Sequence, residues 1–323
     1  GGTQLVQTVN FIDTGLLGEP MAAAGGFVYF TGCEAATGCE LWRGNAGGAA
    51  LVRDTMPGPS GGLGLGGFAP AGSRIVFIAL DPNDGSFDIW ASDGTAQGTY
   101  QLADAVAPGT NQFPKHLTSV GSQVFFVAPS AASGDEIWVT DGTPAGTSLV
   151  LDINPGTPGS YPFALTPAGN RLFFTAWSQG FGRELWVTDG TAPGTRRVTD
   201  LNPGVAGSVP SSYLYQSFPP SLYADEYDYS LPQTVEMAAL GDGRVVFRAC
   251  TPAEGCEPWV SDGSAAGTRL LADLRPGTEG SNPYAFAANQ GAVLFAANDG
   301  TTGLELWRID VDLPDVIFAD GFE

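Results

Sequence analysis

Tryptophans 42, 90, 138 and 186 follow one another at intervals of 48 residues, and the same interval separates Trp259 from Trp307. From Trp186 to Trp259 the gap is 73 residues, one period plus 25. A fixed period of roughly 40–50 residues marks a propeller or another repeat array, because each unit buries its apolar faces only against its neighbours.

One unit reads as four short strands. In the fourth copy, Phe163 to Thr166 is apolar and stops at Pro167-Ala168-Gly169-Asn170, a turn cluster. Arg171 to Ala176 is a β-rich run, and Glu184 to Thr188 alternates with period two. Asp189-Gly190-Thr191 turns the chain, and Arg196 to Leu201 is a fourth run ended by Asn202-Pro203-Gly204. Four strands joined by such turns match one propeller blade. No ten-residue stretch carries a helical stripe.

Asp88 to Thr95, Glu136 to Thr143 and Glu184 to Thr191 resemble the bacterial ELWxxDGT-repeat proteins. The resemblance covers nearly the whole chain. It implies a secreted or surface-exposed bacterial protein and carries no general activity with it. Two copies depart from the pattern, with Arg43-Gly44-Asn45-Ala46 and Arg308-Ile309-Asp310-Val311 in place of the Asp-Gly-Thr turn.

The expected fold is all-β: a six-bladed β-propeller of four-stranded blades in one domain, residues 1–323. The blades fall near 20–58, 65–109, 113–156, 161–204, 235–277 and 282–309. The sixth unit lacks a fourth strand of the repeat type, and the stretch 4–11 resembles one. The expectation is that this N-terminal strand closes the ring, which would remove sheet edges.

The formal net charge is −21, with Lys115 the only lysine. Such a chain repels nucleic-acid phosphates and anionic membranes. No apolar run reaches about 18 residues, so no membrane span is expected. The chain begins at Gly1 without methionine or signal peptide and reads as a processed mature form. Cys33 and Cys39 precede Trp42 by nine and three residues, and Cys250 and Cys256 precede Trp259 by the same distances. The match predicts two local disulfides, Cys33–Cys39 and Cys250–Cys256, bridging strands two and three in an oxidising compartment. Zinc is the competing reading, but structural zinc sites favour shorter ligand spacings and no histidine lies near.

Two segments stand outside the repeat. The insertion 205–235 holds Tyr213, Tyr215, Phe218, Tyr223, Tyr227 and Tyr229, and with them five of the nine tyrosines. They are candidates for binding a ligand or partner, since tyrosine suits sugar and protein recognition. The tail 313–323 resembles an Ile-Phe-x-Asp-Gly-Phe-Glu signature on exported proteins of some gammaproteobacteria, which implies the exterior or surface of a Gram-negative cell. Ile317, Phe318 and Phe322 are its apolar anchors, expected to dock on a neighbouring subunit.

Candidate chemistry is sparse, and no catalytic residue is assigned. Trp42, Trp90, Trp138, Trp186, Trp259 and Trp307 are structural. So are the acids preceding them, including Glu40, Glu136, Glu184, Glu257 and Glu305, because an active site is needed once and these recur. Asp93, Asp141, Asp189 and Asp262 precede turn glycines and would accept backbone N–H bonds. Asp152 and Asp200 read as turn caps. Asp81, Asn83 and Asp84 are metal candidates, for calcium, and Asn298-Asp299-Gly300 is a similar stretch; the spacing is unlike an EF-hand loop. His116, the single histidine, reads as packed. No cofactor is expected. The function expected is a non-enzymatic extracellular structural or interaction protein, assembling with itself or binding an extracellular protein or glycan. The alternatives are a carbohydrate-binding propeller using the insertion and a polysaccharide-active hydrolase or lyase.

Overall fold

The computed structural model describes residues 10–11, 21–63, 67–104, 106, 112–156, 158–209, 237–289, 292–310 and 317–318. The chain divides into two compact units, Gly1–Gly159 and Ser160–Glu323, each with three sheets.

In the first unit, sheet 1 comprises β1 (Asn10–Phe11), β2 (Met21–Ala24), β3 (Phe27–Glu34), β4 (Gly38–Asn45) and β5 (Gly48–Arg53). Sheet 2 is β6 (Ala69–Ala71), β7 (Arg74–Leu80), β8 (Phe87–Ser92) and β9 (Thr99–Ala103). Sheet 3 is β10 (Lys115–Val120), β11 (Gln123–Ser130), β12 (Gly134–Thr140) and β13 (Ser148–Leu151). In the second unit, sheet 4 is β14 (Phe163–Ala168), β15 (Arg171–Ser178), β16 (Gly182–Thr188) and β17 (Arg196–Arg197). Sheet 5 is β18 (Met237–Ala239), β19 (Val245–Thr251), β20 (Gly255–Ser261) and β21 (Arg269–Leu270). Sheet 6 is β22 (Tyr284–Asn289), β23 (Ala292–Asn298), β24 (Leu304–Asp310) and β25 (Ile317–Phe318). All pairings between these strands are antiparallel.

The 48-residue period survives as register. Each repeat tryptophan stands directly across from a phenylalanine of strand two: Phe30–Trp42, Phe77–Trp90, Phe126–Trp138, Phe174–Trp186, Phe247–Trp259 and Phe295–Trp307. The fourth strand of sheet 4 is shorter than the sequence suggests: β17 covers only Arg196–Arg197, although the next amide, Val198 N–H, still bonds to Leu185 O of β16 at 2.8 Å.

First strands bulge in sheets 3, 4 and 6, where His116, Ala164 and Ala285 adopt φ of 60°, 54° and 57°. His116 is therefore a bulge residue. Burial, and then the charge of Lys115, pushes its imidazole down to about 3. Lys115 itself pairs with Asp135 at 2.6 Å.

Both disulfides form as expected, Cys33–Cys39 and Cys250–Cys256, across directly paired positions of strands two and three. Each closes a loop of sequence separation 6. Reducing either should cost on the order of 2 kcal/mol, the low end for native bridges, because the closed loop is short. Denaturant midpoints with and without reductant measure it.

The chain ends correct two expectations. The fourth position of sheet 6 is taken by Ile317–Phe318, which pair with Ile309 and Arg308 of β24. The expected N-terminal strand does not fill it. Of the stretch 4–11 only Asn10–Phe11 is described, and it pairs with Cys33 and Gly32 of β3, beside β2. Nor are Ile317 and Phe318 left over for a neighbouring subunit, since their backbones belong to their own sheet; Phe322 lies outside the described residues. The reason is chain connectivity. A short connection leads from Asp310 to Ile317, and closing a short loop costs little entropy.

Candidate functional site

The strongest candidates for chemistry are buried carboxylates, and their geometry shows what they do. Glu40, Asp88, Glu136, Glu184 and Glu257 are fully buried on the third strands of sheets 1 to 5. Each accepts at least one hydrogen bond from the loop that follows its own fourth strand, and Asp88 a further one from Gln101 within that strand. Glu40 accepts Thr55 N–H at 3.1 Å, Thr55 Oγ1–H at 2.6 Å and Met56 N–H at 3.3 Å. Asp88 accepts Gln101 Nε2–H at 3.0 Å and Val106 N–H at 3.3 Å. Glu136 accepts Asn154 N–H at 3.1 Å. Glu184 accepts the N–H of Ser208 at 2.7 Å and its hydroxyl. Glu257 accepts Leu274 N–H at 3.2 Å, Arg275 N–H at 3.1 Å, Ser281 N–H at 2.8 Å and Ser281 Oγ–H at 2.5 Å. An ionised carboxylate offers about four lone-pair sites, and on Glu257 four loop donors occupy them. These side chains hold loops in place. Glu305 departs from the set: it is exposed, and sheet 6 has no such following loop among the described residues.

Sequence reasoning missed the partners of these acids. Pro155-Gly156, Pro203-Gly204 and Pro276-Gly277 each lead to a second glycine and then a serine. Gly159, Gly207 and Gly280 adopt φ of 68°, 68° and 60°. They press against the start of strand three: a Cβ on Gly207 would lie 2.4 Å from Arg183 N and 2.5 Å from Arg183 O. The following Ser160, Ser208 and Ser281 are buried, and the latter two bond to the acids just described. The recurrence of Pro-Gly-x-x-Gly-Ser was the available signal. Gly207→Ala should cost about 2–4 kcal/mol, combining left-handed strain with a backbone clash. Urea unfolding measures it, with Gly204→Ala as a control in open space.

The Asp-Gly-Thr turns are equally committed. Oδ1 of Asp93, Asp141 and Asp189 accepts the N–H and hydroxyl of Thr95, Thr143 and Thr191, and Asp262 does the same for Ser264, at 2.6–2.9 Å. Those hydroxyls in turn accept Gly98, Gly146, Gly194 and Gly267 N–H. Side chains of the preceding sheet reach the turns: Tyr100 Oη–H donates to Gly142 O at 3.0 Å and Arg196 Nη2–H to Gly263 O at 2.8 Å. The turns thus stitch neighbouring sheets. Asp152 and Asp200 do not act throughout as the expected caps, since Oδ1 of each is buried without a hydrogen-bond partner among the described residues.

The calcium candidates are partly brought together. Ligand oxygens of Asp81, Asp84 and Asp88 lie within 4.8 Å of one another. Asn83 is not turned to join them as a ligand: its N–H and Nδ2–H both donate to Asp81 Oδ1 at 2.7 Å. Asp84 accepts Ser86 N–H at 2.9 Å and Oγ–H at 2.6 Å. Protein donors already serve each carboxylate, and the cluster closes the β7–β8 hairpin.

Two opposed sets of titrations set a pH window. Desolvation raises Glu40 and Glu257 above 4.5 and Glu184 to about 7. The folded state therefore holds these protons more tightly, and stability from this set is present below about 4.5 and lost as pH rises towards 7. Hydrogen bonds from the turn hydroxyls and amides lower Asp93, Asp189 and Asp262 below 3.8. Stability from that set is present above 3.8 and lost as pH falls. The denaturant midpoint should accordingly be higher near pH 5 than near pH 8. A midpoint that climbs steadily from the lower to the higher value would contradict it.

Tyr213, Tyr215, Phe218, Tyr223, Tyr227 and Tyr229 lie outside the described residues. Among the described residues no helix is long and apolar enough to cross a membrane.

No protein-family model matches this chain, and no curated protein does. Among solved structures it is similar to TolB from Acinetobacter baumannii, at 15% identity and TM-score 0.37 over 90% of this chain and 63% of that one. It is similar to a Mycobacterium tuberculosis puromycin-hydrolyzing peptidase at 15% identity and TM-score 0.46, over 91% of this chain and 43% of that one. It is also similar to oligopeptidase B from Leishmania major at 12% identity and TM-score 0.47, over 91% and 39%. The chain spans less than two thirds of each of these proteins.

Proposed function

We propose that the protein is a non-enzymatic structural or interaction module of the extracellular or surface compartment of a Gram-negative bacterium, one that assembles with itself. On this reading the six antiparallel sheets are the blades of a propeller. The observation that supports it is the commitment of the buried acids: Glu40, Asp88, Glu136, Glu184 and Glu257 each accept a hydrogen bond from their own loop, which suits a structural role. Two disulfides suit an oxidising compartment. Light scattering and electron microscopy of the native protein test the reading. Particles that grow with concentration support it, and a monomer at every concentration counts against it.

A second reading is glycan binding through the insertion, favoured by five of nine tyrosines within one 31-residue stretch, 205–235. A glycan array on the full chain, repeated with Tyr223→Ala and Tyr227→Ala, separates the two. Binding that those substitutions abolish, in a protein that stays monomeric, selects the second.

A further inference from the structure

One residue of strand three anchors the loop that follows the fourth strand. It stands three positions before the repeat tryptophan: Cys39, Asp135, Arg183 and Cys256 in sheets 1, 3, 4 and 5. A Cβ on Gly61, Gly159, Gly207 or Gly280 would run into its backbone, so the loop lies directly on it. In three of these sheets its carbonyl also holds the loop. Cys39 O accepts Gly62 N–H and Leu63 N–H at 3.1 Å, Arg183 O accepts Ser208 N–H and Val209 N–H at 3.1 Å, and Cys256 O accepts Asn282 N–H at 2.9 Å. The residue after the anchor is the buried acid Glu40, Glu136, Glu184 or Glu257, which accepts from the same loop.

What ties the anchor to its own sheet differs. Asp135 is tied by an ion pair with Lys115 at 2.6 Å, and Arg183 by a hydrogen bond to Tyr161 O at 2.9 Å. Cys39 and Cys256 are tied to strand two by their disulfides, and these ties a reductant can break. All four cysteines are half-buried rather than enclosed. Each bridge also reaches beyond its own loop. Gly62 O accepts Leu80 N–H of sheet 2 at 2.7 Å, and Ser281 O accepts Asn298 N–H of sheet 6 at 2.9 Å. Cys250, on the other side of its bridge, donates its N–H to Ser208 O at 2.7 Å. The Cys250–Cys256 bridge therefore joins two loops, 202–209 and 274–282, and the first of them opens the tyrosine-rich insertion 205–235.

A bridge across so short a loop constrains the unfolded chain little, so its effect falls on the loops it anchors. We propose that both bridges are redox latches: a dithiol reduces them in the folded protein, and reduction releases the adjoining loops without unfolding the sheets. A thiolate of the dithiol attacks one cysteine sulfur, breaks the S–S bond and forms a mixed disulfide, and the other cysteine leaves as a thiolate that takes up a proton. The second thiol of the reductant then attacks the reductant's sulfur in the mixed disulfide, and the remaining cysteine leaves in the same way. Two electrons and two protons pass to the cysteine pair, which becomes two thiols, and the dithiol becomes a disulfide. The latch operates in a monomer and in an assembly alike.

The test treats the full chain with dithiothreitol, counts free thiols by alkylation and mass spectrometry, and follows amide exchange. Alkylation of both cysteine pairs is expected in protein whose circular dichroism is unchanged. The amides of Leu63 and Leu80, and those of Ser208, Asn282 and Asn298, should exchange at least about tenfold faster after reduction. Asn154 is the control: its loop rests on Asp135 and adjoins no bridge, so its exchange should not change. Cys33→Ser/Cys39→Ser should quicken only the first group, and Cys250→Ser/Cys256→Ser only the second; reduction of the wild-type chain decides the matter if a variant fails to fold. Bridges that yield only under unfolding conditions would overturn the latch. So would loops as protected after reduction as before, or exchange that quickens through all six sheets alike.

Discussion

Glu257→Ala is expected to destabilise the protein by about 3–5 kcal/mol, the scale on which buried hydrogen-bonded charges and their partners are disrupted. Glu257 is fully buried and its two oxygens accept four hydrogens, from Leu274 N, Arg275 N and both donors of Ser281. Alanine leaves those donors facing a void, and the segment 274–281 loses the group that fixes it to strand β20. Glu257→Gln recovers only part of the loss, because it keeps one acceptor oxygen and points an NH₂ at N–H groups. The matched control is Glu305→Ala, at the same repeat position but exposed, where a change within about 0.5 kcal/mol is expected. Urea denaturation gives the energies, and amide exchange over 274–281 locates the effect. A loss below about 1 kcal/mol for Glu257→Ala would mean the loop is held by its other contacts.

Trp90→Ala should cost about 3–5 kcal/mol, as for other large core aromatics. The side chain is 5% exposed and packs with Phe68, Ile75 and Phe77 of its own sheet and with Tyr29 and Leu41 of sheet 1. The guanidinium of Arg53 stands 5.9 Å from its ring centroid. The loss therefore acts on the contact between two sheets as well as within one. Trp90→Phe should be much milder, because the indole Nε1–H has no hydrogen-bond partner among the described residues and the substitution removes a buried donor along with some volume. Equal losses for the two variants would show that the Nε1–H is satisfied after all. Calorimetry on both variants decides it.

The three outcomes already stated for Gly207, the disulfides and pH share a cause with these two. The sheets are short, so loops and turns carry much of the specificity, and the loops after sheets 1, 4 and 5 are each tied down by one acid, one glycine and one hydroxyl residue. That division of labour recurs with the 48-residue period, which explains why the acids resemble catalytic candidates one at a time and a scaffold when taken together.

Local spacing determined what depends on residues close in sequence. The alternation around each tryptophan set the third strands, and the Asp-Gly-Thr and Asp-Gly-Ser turns set the connections through hydrogen bonds spanning two to four residues. The matched cysteine spacing set both disulfides, because directly paired strand positions a hairpin apart bring Cβ atoms together. Contacts between distant residues were decided only by tertiary structure. The bond from Ser208 to Glu184 spans 24 positions, and the approach of Gly207 to Arg183 needs the hairpin and the loop to be folded together. Which chain end completes sheet 6 was a competition between two segments of similar apolar character, and connectivity settled it in favour of Ile317–Phe318.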